Sequence, residues 1–335
     1  MPTNVPVRVW LAPDEAANQA RHNGQINRRI DKLTDMATDG KASVAGDWSV
    51  DERCIRCDVA RHWAPGLIEQ DDRGRSYVAR QPVSGEDEQA LWRAAVACPT
   101  QSVHRQGMPR PSQPPFPHEM TPGLLALGHN PRKSFGAHSY LLTRPDGHVM
   151  VDTPRFERGL VERVEALGGV AHILLSHRDD VADYDRWAGH FGSQVWIHEA
   201  EAHAAPNATD IVRGGDSVEM APGVVAYVAP GHTEGHLVFH VDNRWLFTGD
   251  TLLWNQRRGE LDVTPLQMFY SWEALTETVE MLATLRVEWV LPGHGSWRQL
   301  EPSDYSADMQ RLAAGMRRLG QQGWASRPNT PFDWY

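Results

Sequence analysis

A disulfide framework, a long apolar run and a surplus of positive charge are all missing from this sequence. Only three cysteines occur in 335 residues, Cys54, Cys57 and Cys98, all in the first third. An odd, clustered set does not build a disulfide scaffold. A C-x-x-C pair without a secretory signal reads as metal, cluster or redox chemistry in a reducing compartment, so a cytoplasmic protein is expected. No stretch approaches the ~20 apolar residues that a membrane span needs. Residues 1–13 show no basic region followed by an apolar block, so no secretory signal is visible. Acidic residues outnumber basic ones 43 to 33, giving a net charge of −10. That balance supplies no global attraction to nucleic acid or anionic lipid, and neither partner is expected.

What is present is ordinary for a globular chain. The length suits about two domains, and a hydrophobic fraction of 41% is enough for a packed core. The 16 histidines fall mostly after position 100. Sulfur ligands therefore come first in the chain and imidazoles later.

The organisation follows the same division. Residues 1–45 read as a helical arm, with Ile26, Ile30, Leu33 and Ala37 on one face of a helix over 14–38. Residues 46–107 read as a small unit: a ligand-rich loop entering a short helix at 54–64, a strand at 76–80, and a helix at 86–97 that delivers Cys98-Pro99. Five prolines between Met108 and Pro117 predict an extended, semi-rigid linker over 108–121. From 122 to 320, short apolar strands alternate with helices, the pattern of an α/β layered fold. Residues 321–335 are left as a tail.

Cys54-Ile-Arg-Cys57, then Ala64-Pro65, then Cys98-Pro99-Thr100 resembles a single-cluster bacterial ferredoxin over about residues 47–105. The resemblance implies a small α+β domain that binds an iron–sulfur cluster through Cys54, Cys57 and Cys98. It departs at the third cysteine position, which is Ala60. Three thiolates leave three chemistries open: a three-iron cluster, a fourth iron on a non-cysteine ligand, or a site without its cluster. His62 is the first choice as an extra ligand, with Asp58 beside it. A Cys3His zinc site is also chemically reasonable.

Five further elements follow in order: Asp152 at the end of 149–151, Ser176-His177-Arg178-Asp179-Asp180, Gly231-His232 with His236, Gly249-Asp250-Thr251, and Gly293-His294-Gly295. Each follows an apolar strand, so each sits on a strand-end loop, where such groups can converge on one metal. The series resembles the metallo-β-lactamase fold superfamily, nearest to its glyoxalase II-like members, over about residues 122–300. The resemblance implies an αββα sandwich with a metal site at one sheet edge. It implies His177, His232, Asp250 and His294 as metal ligands, with Asp152 and His236 as loop-orienting residues. Where the family reads H-x-H-x-D-H, this chain has His177, Asp179, Val181 and Ala182. The simplest expectation is one metal, zinc or iron, on His177, His232 and Asp250. Asp179 then serves as fourth ligand or as holder of a catalytic water, Asp180 stands behind it, and His294 is released for acid/base work.

Three functions fit those residues. The first is a metal-dependent hydrolase of an ester, thioester or amide in a small-molecule substrate. The second is a non-haem iron oxygenase or reductase, because two histidines and a carboxylate suit Fe(II) and the fused module can serve as an electron-transfer partner. The third is a non-catalytic redox sensor.

Overall fold

The computed structural model describes residues 41–108, 111–256, 258–263 and 270–322. The helix expected over 14–38 lies outside the described residues.

The first module holds four short strands, β1 (Trp48–Val50), β2 (Ile68–Gln70), β3 (Ser76–Val78) and β4 (Val103–Arg105), with helices α1 (Val59–Trp63) and α2 (Gly85–Ala97). Strand β1 pairs with β4, and β2 with β3, both antiparallel. Ser84 starts α2 by accepting a hydrogen bond from the Asp87 amide, and Glu86, Asp87 and Glu88 place negative charge on its first turn. Both features satisfy the free N–H groups and the dipole of a helix start. The helix stops at Cys98, whose backbone is extended, as a residue before proline prefers. The stop therefore fixes where the third thiol projects.

Two sheets form the larger domain. The first has seven strands: β5 (His118–Thr121), β6 (Leu124–Ala126), β7 (Tyr140–Leu142), β8 (Val149–Val151), β9 (His172–Leu174), β10 (Gln194–His198) and β11 (Asp210–Val212), paired in the order β11-β10-β9-β8-β7-β6-β5. The second contains β12 (Val218–Ala221), β13 (Val224–Val228), β14 (Leu237–Val241), β15 (Trp245–Gly249), β18 (Trp289–Pro292) and β19 (Arg298–Gln299), in the order β12-β13-β14-β15-β18-β19. A hairpin of β16 (Leu252–Asn255) and β17 (Glu260–Val263) stands beside it.

Residue alternation shows how the layers face. Leu237, Phe239 and Val241 of β14, Phe247 of β15 and Leu291 of β18 enter the core shared with the first sheet. Their neighbours Val238, Leu246 and Val290 enter a second core with α5 (Trp272–Leu282) and α6 (Pro302–Gln322). A period of two splits each strand between two faces. Leu160, Val161 and Val164 of α3 (Arg158–Leu167) and Trp187 of α4 (Tyr184–Phe191) pack on the first sheet. The result is the expected helix–sheet–sheet–helix sandwich.

Strand direction then positions the site. Strands β8 and β9 are parallel. Strands β13, β15 and β18 share one direction, because β13 and β15 each run antiparallel to β14 and β15 runs parallel to β18. The loops that follow these five strands carry Asp152, His177, His232, Asp250 and His294.

The region expected to be a linker behaves differently. Its last four residues are the edge strand β5, so the sheet begins at His118. Phe116 is fully buried, stacks edge-on against Trp63 at 4.9 Å, and accepts a hydrogen bond from Arg163 Nε at its carbonyl. One continuous core runs from Trp48 and Ala60 in the first module to Leu124 and Phe239 in the second. Proline composition gave no sign of this aromatic anchor.

Candidate metal centre

The centre is built outward from Asp152. That carboxylate accepts from the Ser176 amide (2.8 Å) and from Ser176 Oγ (3.0 Å). Ser176 Oγ lies 2.9 Å from His177 Nδ1. Engaging Nδ1 leaves Nε2 as the free face of the His177 ring, a means of fixing both tautomer and orientation. His236 stacks on His177 at 4.9 Å, accepts from the Asp250 amide and meets Thr251 Oγ1 at 3.1 Å. Gly249 allows that contact: its φ is +47°, and a Cβ there would lie 2.7 Å from His236 Nε2.

The four expected donors around the centre come together. His177 Nε2 is 3.8 Å from both Asp179 Oδ2 and Asp250 Oδ2. His232 Nε2 is 3.6 Å from Asp250 Oδ2 and 4.0 Å from Asp179 Oδ2. These separations suit donors around a shared ion. Asp179 is the most open of the four, at 32% side-chain exposure, and so faces the approach from solvent.

Burial tests whether the set fits a metal. His177 Nε2 and both ring nitrogens of His232 are buried and make no hydrogen bond. Orphaned buried nitrogens are costly unless something fills the space between them. Burial keeps both rings neutral by pushing their pKa values below the usual histidine value. Neutral imidazole is the form that binds metal. Burial alone would raise the Asp250 carboxyl, but His294, His232 and His177 hold it well below the usual carboxylate range. Two neutral imidazoles and an ionised carboxylate are a sound donor set for zinc or iron.

His294 sits differently from the three others. Its Nδ1 donates to Asp250 Oδ1 at 2.6 Å and its Nε2 donates to the Ser134 carbonyl at 3.0 Å. Burial would lower its pKa, but the charges of Asp250 and Asp180 and those two hydrogen bonds push it up to about 10. Both nitrogens are thus turned to protein acceptors.

Asp180 was expected behind Asp179, yet it reaches the centre itself. His177, Asp180 and Asp250 form a second possible donor group that shares two members with the metal centre. Both Asp180 oxygens are buried without a hydrogen bond, and burial together with the Asp250 charge pushes the carboxyl well above its ordinary range. Nothing in an alternating pattern marks such a residue.

Glu201 is a further residue that the sequence concealed. It is fully buried in the short 3-10 turn Glu199–Ala204 and accepts from the Arg178 and Gly235 amides. It thereby ties the His177 loop to the His232 loop. Its alanine-rich surroundings gave no signal. Tyr184, which lies near the altered motif, is buried, and its hydroxyl accepts from the Asn207 amide.

The thiol site lies on the inner side of the first module. Cys57 and Cys98 are buried, and Cys54 is partly so. Burial, then the charges of Cys98 and Cys54, pushes the Cys57 thiol up. Three thiols are soft donors of the kind an iron–sulfur cluster uses, but Ala60 leaves the fourth position of a four-cysteine site without a sulfur. His62 turns elsewhere. Its Nδ1 is 2.6 Å from Ser296 Oγ, and its Nε2 is 3.3 Å from Asp58. Asp58 in turn pairs with Arg61, whose Nη1 donates to Gln256. The structure thus assigns His62 and Asp58 to the contact with the larger domain.

Sequence comparisons agree with both halves. Residues 50–105 match the 4Fe-4S single cluster domain of Ferredoxin I, and residues 167–294 match the metallo-beta-lactamase superfamily. The larger domain is thus similar to that superfamily over residues 167–294, with a match to a ferredoxin-type domain ahead of it. A hydroxyacylglutathione hydrolase of Yersinia pestis is 34% identical over 163 residues, covering 48% of this chain and 62% of that protein. A hydroxyacylglutathione hydrolase of Fuscovulum blasticum is 34% identical over 127 residues, covering 37% and 50%. The chain spans about half to three-fifths of these relatives' own lengths. Among solved structures, the DIM-1 metallo-beta-lactamase aligns with a TM-score of 0.47 at 14% identity, over 58% of this chain and 95% of that one. A metallo-beta-lactamase family protein of Thermus thermophilus aligns at 0.43 and 22% identity, over 61% and 82%.

Proposed function

We propose that the chain is a metal-dependent hydrolase that cleaves an acyl bond, with a thioester as the first substrate class to test. One observation carries this reading: the buried nitrogens of His177 and His232, without hydrogen bonds, face the ionised Asp250. The similarity to hydroxyacylglutathione hydrolases supports the thioester.

A bound divalent metal would supply a water of lowered pKa, near ~7, and would polarise a carbonyl. His177, His232 and Asp250 would hold it. Asp152 and Ser176 keep the His177 ring turned inward. Asp179, at the open side, is placed to accept a proton from an attacking water. His294 keeps a proton beside Asp250 and offsets the charge of that carboxylate. The two N–H groups of His294 are held by Asp250 and the Ser134 carbonyl, so it protonates a leaving group only if one of those hydrogen bonds opens.

The test is thiol release from an acyl-glutathione thioester by metal-replete protein. Activity should vanish with chelator, return with added metal and be lost in His232→Ala. Turnover that survives complete metal removal would contradict the reading.

A further inference from the structure

The hydrolytic reading gives the first module no task, yet one side chain of that module reaches the turn that carries His294. The turn, 293–296, follows β18 and is held by backbone contacts inside the larger domain. The Gly293 carbonyl accepts from the His138 amide at 2.7 Å, and the Gly293 amide donates to the Gly249 carbonyl at 2.7 Å. The Ser296 carbonyl accepts from the Trp254 amide at 3.1 Å. Gly295 has a φ of +89°, and a Cβ there would lie 2.9 Å from Leu253, so the turn lies close against β16.

The Ser296 side chain is held from the other module. His62 of α1 brings Nδ1 to 2.6 Å from Ser296 Oγ, and both residues are buried. Asp58 sets the opposite edge of the ring. Its φ is +63°, and its carboxylate accepts from Arg61 Nε at 2.9 Å and lies 3.3 Å from His62 Nε2. Burial keeps the ring neutral. Its one proton is favoured on Nε2, which faces the carboxylate, so Nδ1 accepts from the Ser296 hydroxyl. Adhesion alone would be served by apolar contacts such as Trp63 on Phe116. A buried histidine–serine pair adds direction, because either group left unpaired is costly.

That direction matters two residues earlier. His294 Nδ1 holds Asp250 Oδ1 at 2.6 Å, while Asp250 Oδ2 faces His177 and His232 at 3.8 and 3.6 Å. The hydrogen bond from His294 therefore selects which carboxylate oxygen is turned to the metal.

We propose, on the reading that Asp250 holds the metal, that His62 is a positioning residue for the metal centre. It holds Ser296 from the first module and, through the turn 293–296, aims His294 at Asp250. Asp58 and Arg61 orient His62 in turn. The first module thereby acts on the metal centre by shape, whatever its thiols hold.

The experiment measures the zinc affinity of the full chain by competition with a chromophoric chelator. Zinc retained by His232→Ala is subtracted as the share of the thiols. His62→Gln reaches towards Asp58 and leaves Ser296 without its acceptor, whereas Ser296→Ala removes the donor. His62→Asn sets an amide oxygen where Nδ1 stood. His62→Gln and Ser296→Ala should each weaken zinc binding about tenfold. The double variant should also lose about tenfold, not about a hundredfold, because both changes break one link. His62→Asn should stay within about threefold of wild type. Single variants with wild-type affinity would overturn the proposal, as would a double variant weakened by the product of the two singles. A His62→Asn protein that binds no better than His62→Gln would also overturn it, as would a wild type that binds no more zinc than His232→Ala. Should His62→Gln not fold, Ser296→Ala decides alone by the same tenfold criterion. Thioester hydrolysis by the wild type is run alongside. The expected affinities without turnover would support the positioning role and remove the hydrolytic reading, and turnover with unchanged affinities would do the reverse.

Discussion

Asp179 and Asp180 are adjacent carboxylates with opposite surroundings, and they make different predictions. Asp179 is open and sits 3.8 Å from His177 Nε2 and 4.0 Å from His232 Nε2. Oxygen is a harder donor than imidazole, so Asp179→His should shift metal preference towards zinc. Competition loading with equal iron and zinc, read by metal analysis, checks this; an unchanged ratio would remove Asp179 from the donor set. Asp180 is buried without a hydrogen bond. Asp180→Asn should therefore stabilise the metal-free protein while weakening its metal affinity. Thermal unfolding with chelator and a metal-binding titration separate the two effects, and a variant less stable in chelator would contradict the assignment. Behind them, Ser176→Ala removes the support of His177 and should cost about 10–100-fold in metal affinity. At this scale the sequence was only partly legible. His177, His232, Asp250 and Asp152 each follow an apolar strand and stood out. Asp180 did not, because Ala182 takes a positive φ of 39° just beyond it and the altered loop path is invisible in a list of residues.

The elements were more legible than the loops between them. Strands such as β14, with alternating faces, and amphipathic helices such as α3 carry their period in the sequence. The hairpin of β16 and β17, the edge strand β5 and its neighbour β6 do not. They are short, and β5 (His118–Thr121) fell within the stretch read as linker, although Pro122-Gly123 is the turn that joins it to β6. Pairing of β6 with β7, and of β5 with β6, rather than local pattern, makes them strands. The contact between modules is where pH acts on these elements. Burial pushes the His62 pKa well below its usual value, that of His138 to about 3 and that of His129 to about 4. Lowered histidine pKa values mean that the unfolded chain binds protons first as pH falls. Their contribution is complete above about pH 6.5 and is lost progressively below it. The melting temperature of chelated protein should fall between about pH 6.5 and about pH 4, and His62→Gln should flatten part of that fall. A pH-independent melting temperature over that range would contradict neutral burial of these rings.

At the scale of the whole molecule, the two modules share one core. Trp63 packs on Phe116 at 4.9 Å and on Trp297 at 4.7 Å, and Phe116 and Trp63 belong to the core that continues between the sheets. Metal-free protein should unfold in one calorimetric transition, whereas two separated transitions would show independent modules. No sequence signal announced this union, because the aromatic anchors lie in a proline-rich stretch and in the cysteine loop.

The central claim is that His177, His232 and Asp250 hold the metal on which hydrolysis depends. Metal content per chain, measured alongside thioester hydrolysis in wild type and His232→Ala, tests it most directly. The account predicts a bound metal in the larger domain of the wild type, with both metal and turnover lost in the variant. A His232→Ala protein that keeps its full metal content and its activity would contradict it.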